Sequence, residues 1–193
     1  MPTLPYILPY ACWMALMLVL PATAQTYALR SAAVFGILIW AIWPIRHKII
    51  PTKKEWIVAI SAGVLVFLVW IAPEEFEIYQ KWFVFGDSPN ISVYDPEECG
   101  WPLTLIKLCG SAFVIAVAEE MFFRKFLLDF AGFWWTVALF AVEHDRFAVA
   151  AIAGVVYGIV RMKVSLRSAV VAHVVTNFIL GVYVIRFAKW QLW

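Results

Sequence analysis

The sequence predicts an all-α, polytopic transmembrane helix bundle. Three observations carry that reading. Of 193 residues, 64% are hydrophobic and 15% are charged, against roughly 45–50% and about 25% in soluble domains. A chain of this size exposes too much surface to hide so much apolar side chain from water, and its mean hydropathy is +0.85. The apolar residues also come in continuous runs, whereas the strands of an outer-membrane barrel alternate polar and apolar positions. This composition excludes a soluble enzyme and a disordered chain. A net charge of +2 is too small to act as the electrostatic footprint of a nucleic-acid binder. Three cysteines give neither a disulfide framework nor a CxxC metal pair. Cys12 and Cys109 lie in apolar stretches and read as small core residues.

A spanning helix needs about 20 mostly apolar residues. Residues 6–24 form the first such stretch, between Pro5 and a break at Ala22-Thr23-Ala24-Gln25. Ala22 and Ala24 have the spacing of a signal-peptidase site, but no Lys or Arg precedes the run and it is long for a signal segment; a retained first helix is expected. Residues 29–45 form the second stretch and end at Pro44, and residues 56–72 form the third and end at Pro73. Residues 103–128 are a fourth, long and interrupted by Glu119, Glu120 and Arg124. Residues 133–160 are apolar but broken by His144, Asp145 and Arg146, so they read as two short helices. Residues 166–188 are the last. The total is about seven helices, two of them short. Without a repeat or a low-complexity tract, residues 1–193 read as a single integral membrane domain.

Lys and Arg in short loops set the orientation. Arg46, Lys48, Lys53 and Lys54, and then Arg161, Lys163 and Arg167, place two turns on the cytoplasmic side. The 73–102 loop carries Glu74, Glu75, Glu77, Asp87, Asp95, Glu97 and Glu98 against Lys81 alone, and is expected to be extracytoplasmic. Arg186 and Lys189 run against this scheme.

Ionisable groups inside a membrane are costly and mark functional sites by default. Three stretches carry them. Glu120 and Arg124 are four residues apart and share a helix face, so they can pair. Glu119 points about 100° away and has no partner on its own helix. A desolvated carboxylate of that kind suits general-base work near neutral pH. The second stretch ends Phe140-Ala141-Val142-Glu143-His144, in which Glu143 reads as a surface or helix-end charge. The third is His173-Val174-Val175-Thr176-Asn177, with His173 and Asn177 on one face. Measured from the basic side of the membrane, Glu119, His144 and His173 lie about 15, 16 and 12 Å deep at helical rise. The three groups can therefore meet near the midplane.

Taken together, Glu119-Glu120-x-x-x-Arg124, Phe140-x-x-x-His144 and His173-x-x-x-Asn177 resemble the EExxxR, FxxxH and HxxxN motifs of the CPBP family, the CAAX protease and bacteriocin-processing intramembrane endopeptidases. They stand in the family's order over residues 103–188. Gly154-Val155-Val156-Tyr157-Gly158, a small-xxx-small face suited to close helix packing, resembles the family's connection between the last two motifs. The resemblance implies hydrolysis of a peptide bond in a membrane-anchored protein or peptide substrate. Glu119 would be the general base, assisted by His144, and His173 and Asn177 would stabilise the oxyanion. Glu120 and Arg124 would be a structural ion pair, with Phe140 supporting the site. It implies no cofactor and no metal. Leu4-Pro5-Tyr6 and Tyr27-Ala28-Leu29-Arg30 resemble the branch found beside bacterial exosortase sorting systems, which implies a bacterial inner-membrane protein acting on exported substrates. Two alternatives stay open: a non-catalytic binding or immunity protein of the same fold, and a zinc-dependent intramembrane protease, although the spacing matches no recognised zinc pattern. A transporter finds little support without an internal repeat.

Overall fold

The computed structural model describes residues 3–43, 51–75 and 93–193. Among them all regular structure is helical: α1 (Leu4–Val19), α2 (Ala24–Ile42), α3 (Lys53–Glu75), the four-residue α4 (Pro96–Cys99), α5 (Trp101–Ala131), α6 (Phe133–Val142), α7 (Phe147–Lys163), α8 (Leu166–Phe187) and a closing 3-10 turn at Trp190–Leu192. The expected all-α bundle is found, including the division of residues 133–160 into two short helices. Ala24–Ile42, Lys53–Pro73, Trp101–Ala131 and Leu166–Phe187 are long and apolar enough to cross a bilayer; α1 and α6 are shorter apolar helices. Leu18, Phe130, Trp134 and Val142 are each more than 70% exposed, as expected of side chains that meet lipid rather than water.

The ends of the elements differ from the sequence reading where capping decides. The first helix stops at Val19 rather than residue 24, and the second starts at Ala24 rather than residue 29. Thr23 is the cause. Its hydroxyl accepts from the Thr26 amide at 3.2 Å while the Thr26 hydroxyl accepts from the Thr23 amide at 3.1 Å, a reciprocal cap that satisfies two orphan donors. Thr52 and Glu55 do the same for α3, with the Thr52 amide donating to the Glu55 carboxylate at 2.7 Å. Pro73 does not end α3, which continues to Glu75; a proline in the last turn removes only one helical hydrogen bond. Gly132, at φ +85°, turns the chain from α5 into α6, a conformation that L side chains rarely adopt. Cys109 is exposed rather than a core residue. Pro44, the basic residues Arg46 and Lys48, and loop residues 76–92 lie outside the described residues.

α3 packs closely on α8. A Cβ on Gly63 would sit 2.5 Å from the Ala172 carbonyl oxygen. The Thr176 hydroxyl reaches the Gly63 carbonyl at 2.8 Å, and the Tyr157 hydroxyl donates to Thr176 at 2.8 Å. One buried chain of hydroxyls thus ties α7, α8 and α3. Gly154 and Gly158 both face α6, where a Cβ would meet Phe140 and Phe133 at 3.4 and 2.6 Å. That agrees with the close-packing face read from the sequence.

Candidate active site

α5 is not a uniform helix. It widens into π turns at Gly110–Ile115 and Glu120–Leu127, with one α turn, Ala116–Glu119, between them. π turns are rare and frequent at functional sites. Here the second begins at Glu120, so the change from α to π falls between the two glutamates. In the first, the Ser111 carbonyl accepts from the Asn177 side-chain amide at 3.1 Å.

Glu120 and Arg124 are both fully buried, and Arg124 Nε lies 3.6 Å from a Glu120 oxygen. The guanidinium also sits 4.5 Å from the centre of the Phe140 ring. The ring's face offers this cation an attractive electrostatic contact. Phe140 therefore supports Arg124 directly. It also backs His144, whose Nδ1 is 2.8 Å from the Phe140 carbonyl oxygen. A carbonyl only accepts, so Nδ1 carries the hydrogen and Nε2 presents its lone pair.

His173, on α8, is 4% exposed. Its Nδ1 is 3.0 Å from Glu120 Oε1, and its Nε2 is 3.6 Å from Glu119 Oε2. Tyr157 stacks on the imidazole at 4.7 Å and fixes its plane. A cavity of about 190 Å³ is lined by Glu119, His144, His173, Asn177, Ser111 and Lys107 among others. A second, of about 360 Å³, shares Glu119, His144 and Lys107 and adds Tyr10 and Glu143. Glu119 and His144 therefore stand where the two spaces meet. The polar space runs from Glu119 back along α5 to Lys107, toward the end of the bundle opposite Asp129, Lys125 and Arg161. At that far end the Lys107 amine is caged by Tyr27, Tyr94 and Trp193 at 4.4, 4.7 and 5.5 Å. Burial pushes the Tyr94 phenol up, so it stays neutral beside the amine.

The structure brings Glu119, His144, His173 and Asn177 to one cavity, with Glu120, Arg124 and Phe140 behind it. Glu143 is the expected helix-end charge, at the C-cap of α6, and is exposed as a residue; its side chain, 16% exposed, accepts a hydrogen bond from the Tyr10 hydroxyl of α1. Glu119, Glu143 and His144 each bring one ligand-capable atom within 4.8 Å of the others. The sequence reading missed Tyr157 and Tyr10. Their signal was a phenol in an otherwise apolar helix, which needs a polar partner once buried.

Four membrane-length helices around an internal carboxylate–imidazole cavity define a polytopic membrane protein with a polar site inside its bundle. Residues 101–179, which include all three motifs, match the family model described as type II CAAX prenyl endopeptidase Rce1-like. Over this stretch the chain is similar to the CAAX protease (CPBP) family, and four candidate spans fit a multi-pass membrane protein. No curated protein and no solved structure matches the chain.

Proposed function

We propose that residues 1–193 act as a single membrane domain, a glutamate-dependent intramembrane endopeptidase whose chemistry resides in residues 103–188. The observation that carries this is the junction at Glu119: a buried carboxylate with no partner on its own helix, bordering space for water, with imidazoles at 144 and 173. Glu119 takes a proton from water, and His144 Nε2, its lone pair free, orients that water. The hydroxide oxygen attacks the scissile carbonyl. His173 and the second amide hydrogen of Asn177 face the charge that develops on the carbonyl oxygen; such a donor contributes about 3–4 kcal/mol to catalysis. Glu120 and Arg124 hold the imidazole and do not react.

The substrate is a membrane-associated protein or peptide reached through the lipid bilayer, not a nucleic acid. The cavity extends away from the basic end of the bundle, which favours entry from the extracytoplasmic side, where the 73–102 loop would lie. With the N-terminal motifs, this supports a bacterial inner-membrane enzyme that processes exported proteins beside an exosortase-type sorting system. A zinc-dependent variant of the same hydrolysis would take Glu119, Glu143 and His144 as ligands, the donor set a divalent cation accepts.

The test compares membrane proteomes of cells carrying the wild-type chain and Glu119→Ala. A protein fragment that disappears in the variant is the expected result. Unchanged fragments refute proteolysis and favour a binding or immunity role. Cleavage that survives chelators removes the zinc variant.

A further inference from the structure

We propose that Lys107 is a substrate-binding residue, whose amine, with the indole N–H groups of Trp70 and Trp193, receives a carboxylate of the peptide at the end of the cavity remote from Glu119.

Lys107, Trp70 and Trp193 line both cavities that meet at Glu119 and His144. Each residue is half-buried, and each brings a donor to that space. The Lys107 amine lies over the rings of Tyr27, Tyr94 and Trp193. Ring faces attract a cation, but they are poor acceptors for the three N–H bonds of an ammonium. Among the described residues the amine has these ring contacts and no ion pair. The indole nitrogens of Trp70 and Trp193 are enclosed and lack an acceptor as well. An indole N–H only donates, and a buried donor without an acceptor is destabilising. The group that completes this wall is therefore an acceptor.

The charges make that acceptor an anion. Arg30 of α2 is 6% exposed. Its guanidinium lies 5.9 Å from the centre of the Tyr27 ring, which Lys107 meets at 4.4 Å. Its Nε is also enclosed without an acceptor. Two cations on one phenol repel each other in a low dielectric, and a negative charge beside Lys107 relieves both. The carboxylates of the larger cavity do not supply it. Glu119 is about 18 Å along α5 from Lys107 at helical rise. Glu143 stays with Glu119 and His144, and Asp145 is exposed at the rim beside Arg146.

The shared space also selects the ligand. Trp70 meets the His144 ring edge-on at 5.7 Å, so the donors run from the candidate reacting groups toward the Lys107 end. A molecule anchored at Lys107 inside these cavities extends to Glu119, which suits a peptide rather than a phospholipid headgroup held at the surface. An extended chain of about five residues covers the distance. Naming a peptide rests on the hydrolysis proposed above; the anion site does not.

Isothermal titration calorimetry tests this on the full chain in phosphatidylcholine nanodiscs, with Glu119→Gln in every sample so that no peptide is consumed. The probes are three acetylated apolar pentapeptides: a free acid, its C-terminal amide, and an amide whose last residue is glutamate. At least one carboxylate-bearing peptide should bind about tenfold or more tightly than the plain amide. Lys107→Gln should abolish that advantage and Lys107→Arg should keep part of it, with melting midpoints as the check on folding. The preferred carboxylate identifies its source, chain end or side chain. Equal binding of the three peptides, or none, overturns the subsite, and so does an advantage that survives in Lys107→Gln. If phosphatidylglycerol nanodiscs remove the advantage, and native mass spectrometry finds that lipid retained with Lys107 and lost in Lys107→Gln, the ligand is a lipid phosphate and the peptide assignment falls. A carboxylate advantage in a chain whose Glu119→Ala leaves every fragment unchanged keeps the subsite and rejects only the proteolytic reading. Equal binding beside Glu119-dependent fragments rejects only the subsite.

Discussion

The imidazole of His173 bridges the two adjacent glutamates of α5, with Nδ1 at 3.0 Å from Glu120 and Nε2 at 3.6 Å from Glu119. A single ring from α8 thus connects the carboxylate paired with Arg124 to the one that borders the cavity. If that bridge positions the site, His173→Gln should leave the bundle folded but lower fragment release by about 10²–10³-fold. Circular dichroism and the proteome comparison check the two halves separately.

The Glu120–Arg124 pair predicts an asymmetry. Arg124→Met leaves a fully buried carboxylate opposed only by His173. Breaking a buried pair from one side costs about 3–5 kcal/mol, so a strong drop in the thermal midpoint is expected. The double substitution Glu120→Gln with Arg124→Met should recover much of that stability, because no uncompensated charge remains. Thermal melts of the three variants in one detergent decide this.

Phe140 is tested by size against charge. Phe140→Ala opens a cavity in a residue that is 1% exposed and should cost about 3–5 kcal/mol. Phe140→Leu fills most of the space but removes the ring face beneath Arg124. It should keep most of the stability and still slow cleavage, since the guanidinium and the Glu120–His173 contact lose their support. Equal activity in Phe140→Leu and wild type would show that volume alone matters there.

Thr176 should behave as a tertiary clasp. Thr176→Val keeps the shape but leaves the buried Tyr157 hydroxyl without its acceptor, an expected cost of about 1–3 kcal/mol. Tyr157→Phe in the same background should restore part of it. The non-additivity of the two substitutions in a double-mutant cycle is the measurement.

The parts of the architecture that depend on local chemistry were legible. Continuous apolar runs located the spanning helices, and His144-Asp145-Arg146 located the break between α6 and α7. The i, i+4 rule found the Glu120–Arg124 pair, and depth counting brought Glu119, His144 and His173 to one level. What failed were inferences that extended a local rule past its range. The Ala22–Gln25 segment looked like a boundary by composition, but the Thr23–Thr26 cap starts a helix inside it. Tyr10 lies 133 residues from the glutamate it contacts, and no spacing rule connects residues that far apart. The Asn177 contact with the Ser111 carbonyl depends on a π turn that a 3.6-residue period does not reveal.

His173 and Asn177 stand on α8, downstream of every other member of the cluster, and this has a consequence for biogenesis. As the chain leaves the ribosome, both glutamates and His144 enter the membrane before the imidazole that bridges them. Until α8 inserts, Glu120 has Arg124 but no imidazole to position, and α3 has no Thr176 to clasp. A half-made chain therefore carries its carboxylates without an assembled centre, and under the proposed function newly inserted bystander proteins in the same membrane would be spared. The order of synthesis would serve as the safeguard that a removable propeptide provides in secreted proteases.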